Sequence, residues 1–422
     1  MMSRSRMLGL VCLILAGELI FSLPFHITRY FRPTFLEVYG LSNAALGDIF
    51  AGYGVVAMLA YFPGGLIADR FSARKLIALS LFATAAGGVY LATIPPVLGV
   101  RLLFAYWGLT TILLFWAALL RATREWGGSA TQGLAFGLLD GGRGLVAAIA
   151  ASLAVFILSS TLNVDLAVIS DAERTLGIQR VIFFYASMTF TAGVLCWFFV
   201  LESKDATKLT RVEDDSLDIG LWGVLKNPLV WSQAGIVLAA YCTYKGLDNY
   251  GLYAVEVLGM DEVASAKLTA MTAYLRPVGA IAAGIVADRI RPSKVIAIMF
   301  VILGLAYLFA ASTDANAVPV QLLLANLFIS YLAVFALRGV YFALLEETRM
   351  AKERTGTAIG VVSVVGFTPD VFFFSIGGRL LDNNPGVVGH QHYFFFLAGI
   401  ACVGLIVSCL LIWQLSRNPR VS

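Results

Sequence analysis

The sequence predicts an all-α membrane protein of twelve transmembrane helices in two six-helix halves, and three observations predict it. The 422 residues are 59% hydrophobic and 13% charged, with a mean hydropathy of +0.84, outside the range of soluble globular chains. About a dozen apolar runs of roughly 20 residues, enough to cross a bilayer as helix, alternate with short polar turns. The second half of the chain also repeats the first. No alternating ~10-residue pattern of a membrane β-barrel recurs, so helices must satisfy the backbone in lipid.

The first span, 8–30, follows Ser3-Arg4-Ser5-Arg6, and it is long with no small-residue cleavage site before Pro24 and His26. It is therefore expected to be a retained helix rather than a signal peptide. The next five fall at 43–67, 76–94, 97–120, 133–159 and 181–201. Glycines 137, 141, 142 and 144 in the fifth allow close helix approach. Glu202 to Lys226 is the one long polar stretch and mixes both signs of charge, an expected cytoplasmic linker over 202–227 between halves 1–201 and 228–422. The second six spans are 228–250, 264–287, 293–312, 318–345, 355–378 and 393–414. Basic residues gather in alternate loops, at Arg70/Arg74/Lys75, Arg121/Arg124, Lys204/Lys208/Arg211, Arg289/Arg291/Lys294, Arg349/Lys352/Arg354 and Arg417/Arg420. The positive-inside rule assigns these loops and both termini to the cytoplasm of a bacterial inner membrane, and the net charge of +4 reflects that topology.

An offset of 219 places Glu37-Val38-Tyr39-Gly40 on Glu256-Val257-Leu258-Gly259, Gly65 to Arg70 on Gly284 to Arg289, and Lys75 on Lys294. An offset of 223 places Gly133 to Gly137 on Gly356 to Gly360 at the start of the fifth and eleventh spans. A duplicated six-helix unit follows. The stretch Gly65-Leu66-Ile67-Ala68-Asp69-Arg70-Phe71-Ser72-Ala73-Arg74-Lys75 resembles the loop between helices two and three of the major facilitator superfamily, with Ser72 where that pattern carries glycine. The resemblance covers the whole chain. It implies two parallel-repeat halves that rock about a midplane site, with Gly65, Asp69, Arg70, Arg74, Lys75, Gly284, Asp288 and Arg289 as gating residues. Arg124, Arg349, Glu346 and Glu347 are the expected charge partners of those turns, and a solvated positive loop is the alternative.

Ionisable groups inside a membrane are costly and mark pathways. At about 1.5 Å of rise per residue, Glu18 and Arg143 lie about 15 Å into their helices, and Arg276 about 18 Å from Asp288. Lys245, His26 and Asp370 lie farther toward the periplasm, and Arg338 toward the cytoplasm. Arg276, Arg143, Lys245 and Arg338, with Glu18, form the candidate substrate set, and its basic excess points to an anion. The alternative is neutralisation by fixed carboxylates, for which Asp140 three residues before Arg143 is the nearest case. Glu18, Asp140, Asp370 and His26 are the candidate proton carriers; Glu18 has no partner evident in the sequence, and Asp370 follows the helix-breaking Pro369.

Tyr241 to Asp248 resembles helix seven of organophosphate:phosphate antiporters, with Lys245, a lysine for arginine, at the phosphate-contacting position; the repeat puts His26 opposite it, so that family's paired arginine is absent unless Arg29, one turn on, replaces it. Leu275-Arg276-Pro277-Val278-Gly279 resembles helix eight of nitrate/nitrite porters, but Met58 to Pro63 holds no partner arginine and no glycine-rich nitrate signature follows. The expected cargo is a small organic anion, a sugar phosphate, sugar acid, carboxylate or sulfonate, moved by alternating access with a proton or a counter-anion, by a monomer. A nitrate/nitrite-type porter, a drug or siderophore exporter, and a nontransporting sensor are the alternatives. The five cysteines (12, 196, 242, 402, 409) lie in apolar runs without metal spacing. No cofactor, metal or nucleic acid is expected, and no nucleophile–base constellation points to an enzyme.

Overall fold

A computed structural model describes residues 4–127, 132–162, 170–200, 223–315, 317–347 and 360–417. Among these, eleven helices are long and apolar enough to cross a membrane. In chain order, with one more between the sixth and eighth, we number them α1 (Arg6–Tyr30), α2 (Asn43–Arg70), α3 (Ala73–Leu91), α4 (Val97–Gly127), α5 (Gln132–Ser159) and α6 (Asp171–Phe199). They continue as α7 (Pro228–Gly246), α8 (Glu262–Ile290), α9 (Pro292–Ser312), α10 (Val320–Val340), α11 (Gly360–Asn383) and α12 (Val387–Arg417). Helix α7 is the addition to the eleven; it runs on through a 3-10 turn, Leu247–Asn249, to Tyr250–Glu256. The twelve expected spans are all present. The sixth and twelfth begin earlier than the hydrophobic pattern suggests, because the helices take in polar residues ahead of the apolar runs, Asp171 to Arg180 and His390 to His392. Most of the expected linker, 201–222, lies outside the described residues.

Two compact units result: 1–212 with 260–274, and 213–259 with 275–422. The boundary inside α8 falls at a turn, Ala273-Tyr274, where the helix is interrupted. In the first unit α2 packs on α4, α3 on α6, and α1 on α5 and α6. The second unit repeats the scheme, with α8 on α10, α9 on α12, and α7 on α11 and α12. Glycines permit the closest crossings: a Cβ on Gly108 of α4 would sit 2.5 Å from the Tyr53 carbonyl of α2, and one on Gly339 of α10 2.7 Å from the Ala280 Cα of α8. Without a hydrophobic drive between helices in lipid, such backbone approach supplies much of the association. Gly108→Val is expected to force α2 and α4 apart, costing about 1–3 kcal/mol, and a lowered melting temperature in detergent is the check.

Three interruptions bear on the site. In α1 a π-helical stretch, Ser22–His26, precedes Ile27–Tyr30, as such insertions often do at functional positions. In α11 a turn at Phe367-Thr368 precedes a restart on Pro369, whose missing N–H is tolerated at a first turn. In α7 the 3-10 turn follows Lys245 and Gly246.

Candidate functional site

In the first unit Glu18, 4% exposed, is held from two sides: its Oε2 accepts from Arg143 Nε at 3.1 Å, and its Oε1 lies 3.2 Å from His26 Nε2. The sequence expectation that Glu18 lacks a partner is therefore corrected. One partner comes from α5, a contact that sequence distance hides. The other comes from the π turn: eight residues along a regular helix lie about 80° apart around the axis, and the wider turn takes back much of that rotation. Asp140, expected to neutralise Arg143, is 4.0 Å from Nη1 and largely exposed, so Glu18 is the closer countercharge. The guanidinium also lies 5.9 Å from the ring centroids of Phe21 and Trp116, and Gly17 leaves space for its stem. His26 is flanked by the rings of Tyr30 and Tyr185.

In the second unit Lys245, 3% exposed at its side chain, pairs with Asp370 Oδ1 at 2.8 Å. The Tyr241 hydroxyl donates to the same carboxylate, with distances of 3.2 and 3.0 Å to its two oxygens. Tyr241 and Phe374 face the ammonium at 5.1 and 5.2 Å. Tyr241, Tyr244, Lys245 and Asp248 share one helix face by their three- and four-residue spacing. Arg338, half-buried in the last turn of α10, stacks on Tyr244 with its Cζ 3.8 Å from the ring centroid. Among the described residues it has no carboxylate partner. Arg276 stands half-buried in the first turn after the interruption of α8.

The expected substrate set is thus divided by local chemistry. Arg143 and Lys245 each hold a fixed carboxylate, while Arg338 is held by a ring. Sequence reasoning missed the rings of Tyr241, Tyr244 and Phe374 as parts of this cluster; the i, i+4 spacing of Tyr241 and Lys245 was the signal available. It also missed Glu262, at the start of α8, which accepts from Arg174 Nε at 2.7 Å and from the Thr34 hydroxyl within the first unit.

The two Ala-Asp-Arg turns are held differently from expectation. Arg121, not Arg124, donates to the Ala68 and Phe71 carbonyls and pairs with Glu125 at 2.8 Å. The reason is reach: Arg121 sits one turn earlier on α4, on the face toward α2. In the second copy Glu347 accepts from the Ser293 backbone N–H and hydroxyl at 2.8 and 2.7 Å, so it holds the start of α9. Arg70, Lys75, Asp288 and Arg289 are exposed and Arg74 half-buried, and a Cβ on Gly65 or Gly284 would meet nothing within 4 Å. The side chains of Asp69 and Glu346, and all of Arg349, lie outside the described residues.

A family model described as the Major Facilitator Superfamily matches residues 14–373. Two Escherichia coli K12 proteins, "Inner membrane protein YihN" and "Inner membrane protein YqcE", are 28% and 29% identical, over 97% and 96% of this chain and 96% and 94% of their own. Among solved structures, a bacterial homologue of the human lysosomal transporter Spinster in an inward-facing, occupied conformation superposes with a TM-score of 0.74 at 14% identity, covering 97% of both chains. The nucleoside transporter NupG does so with 0.72 at 13% identity, covering 97% of this chain and 99% of its own. At such identities these structures share the fold.

Proposed function

We propose that this chain, which belongs to the major facilitator superfamily and is a multi-pass membrane transporter, carries a small organic anion by alternating access. Its two halves, 1–201 and 228–422, would move about the charged clusters, with both termini in the cytoplasm and the Ala-Asp-Arg turns gating. The observation that carries the reading is Arg338 on Tyr244 at 3.8 Å, without a carboxylate partner among the described residues. A guanidinium whose plane is fixed by a ring presents its edge donors to a planar or tetrahedral oxyanion. Arg276, one turn from the interruption of α8, is the second proposed anion contact. Arg143 serves less well, because the carboxylate it needs for balance is already in place.

Sugar phosphates, sugar acids, carboxylates and sulfonates all supply the required oxyanion. Purified protein should be stabilised by at least one of gluconate, glucuronate, glucose 6-phosphate and isethionate; a ligand at about 100 times its dissociation constant adds about 2.7 kcal/mol. Thermal unfolding reports this directly. Stabilisation by uridine or by a cationic dye, with all four anions inert, would sink the anion reading and leave a nucleoside carrier or a drug exporter.

A further inference from the structure

We infer that α8 is shared between the two moving bodies: its outer segment, Glu262–Thr272, travels with the first unit, its inner segment, Leu275–Ile290, travels with the second, and the helix bends at Ala273-Tyr274 as access alternates. This hinge rests on the alternating-access reading above but not on the charge of the cargo. It draws the line between the moving bodies through a helix of the second sequence half rather than between the halves.

The break has its cause in the sequence. Pro277 carries no N–H, so the Ala273 carbonyl four residues earlier loses its helical donor, and the proline ring crowds that carbonyl. Ahead of it the outer segment closes in tightened turns, the Ala273 N–H donating to the Ala270 carbonyl and the Tyr274 N–H to the Met271 carbonyl, both at 3.2 Å. The Thr269 hydroxyl lies 3.0 and 3.1 Å from the Ser265 and Ala266 carbonyls, and the Thr272 hydroxyl 2.8 Å from that of Thr269. Such bonds back onto the same helix favour bending. At the other end Gly259, with a φ of +67°, admits the chain to the segment through a left-handed turn. Two joints thus flank 260–274. The first half has no such device: Met58 stands opposite Pro277 at the offset of 219, and α2 runs unbroken over Asn43–Arg70 within the first unit.

What each segment touches assigns it to its body. The outer one packs on α5 and on Ile27–Tyr30 of α1. Glu262, at its start and 12% exposed at the side chain, accepts from Arg174 Nε of α6 at 2.7 Å and from the Thr34 hydroxyl. At the far end the Tyr274 and Ser152 hydroxyls lie 3.1 Å apart, tying the segment to α5. Its buried Ser265, Ala266, Thr269 and Ala270 are small, which permits close approach in lipid. The inner segment packs on α10 and α9, and a Cβ on its Gly279 would sit 3.0 Å from the Leu332 carbonyl. Hinges are a few residues at element ends that absorb a change in backbone angles, and Ala273-Tyr274 is such a place. Arg276, in the first turn beyond it, then moves with Arg338 in the second unit.

The test asks which body a label on the outer segment follows. In the full chain, with the exposed thiols removed as Cys402→Ser and Cys409→Ser, Lys267→Cys is combined with Ala172→Cys of the first unit or with Val320→Cys of the second, all at exposed positions. Both pairs are spin-labelled in lipid nanodiscs, and dipolar spectroscopy reads their distances without ligand and with gluconate, glucuronate, glucose 6-phosphate, isethionate and uridine in turn. With whichever compound shifts the Val320 pair, the Ala172 pair is expected to stay fixed. Pro277→Ala restores the missing N–H and is expected to diminish that shift. A ligand-dependent shift of the Ala172 pair overturns the hinge and leaves alternating access standing, as does a full shift of the Val320 pair in Pro277→Ala. Fixed distances in both pairs with every compound overturn the hinge and alternating access together. A shift with uridine alone sinks the anion reading, and the same two distances still decide the hinge. Should Pro277→Ala not fold, the two label pairs decide alone.

Discussion

Replacing Arg338 with alanine is expected to weaken binding of the transported anion by about 10- to 100-fold. The expectation follows from what holds the side chain. Its guanidinium is fixed by the Tyr244 ring at 3.8 Å, so little of its freedom is left to lose when the anion arrives. Hydrogen bonds to a charged group contribute about 1.5–3 kcal/mol, and each 1.4 kcal/mol is a tenfold change in affinity. Arg338→Lys keeps the charge but loses both the planar fork and the stacking, so it should recover only part of the loss. Tyr244→Leu tests the same idea from the other side: the charge stays, its orientation goes, and affinity should fall less than in Arg338→Ala. Calorimetric titration of purified protein measures all three. Unchanged affinity in Arg338→Ala would remove it from the site and shift the anion contact to Arg276.

The fold was legible because its signals are local or periodic. A run of apolar residues long enough to span lipid is visible in any window, and the offset of 219 brings Glu37 onto Glu256 and Lys75 onto Lys294 without any structure. The break before Asp370 was legible for the same reason, since proline declares itself. What the sequence could not show is which charge meets which. Glu18 and Arg143 are separated by 125 positions and Lys245 and Asp370 by the same number; both pairs depend on how helices α1 and α5, or α7 and α11, are rotated about their axes. Nothing in a hydrophobic run fixes that rotation. The π stretch of α1 was hidden for a subtler reason: Pro24 marks a disturbance, but not that the disturbance would bring His26 back over Glu18. Conversely, the repeat predicted a relation that the structure makes concrete. His26 and Lys245 share one position in the two halves, and each stands beside a carboxylate, the buried Glu18 of α1 in the first half and the half-buried Asp370 of α11 in the second.

That difference between the halves leads to a test of what Glu18 does. Glu18→Leu is expected to destabilise the protein by about 3–5 kcal/mol, because it leaves Arg143 beside Phe21 and Trp116 with only the more distant Asp140 to balance it. Arg143→Met should cost about as much, since it takes the guanidinium away from the buried carboxylate. The double replacement Glu18→Leu/Arg143→Met should recover most of the loss, as substitution of a buried ion pair by apolar groups of similar volume is often close to neutral. A coupling energy well above 1 kcal/mol in this cycle is the signature of a direct pair. Denaturant unfolding in detergent, followed on the first unit's tryptophans, supplies the numbers. Additive losses would mean that Glu18 and Arg143 act separately, and Glu18 would then regain its place beside Asp370 as a candidate proton carrier. Strong coupling would instead make the first unit's charges a fixed brace. The asymmetry has a physical basis. The Arg143 guanidinium, a planar fork, holds Glu18 from a separate helix. Asp370 faces a lysine, whose compact ammonium on a flexible stem can turn to another anion.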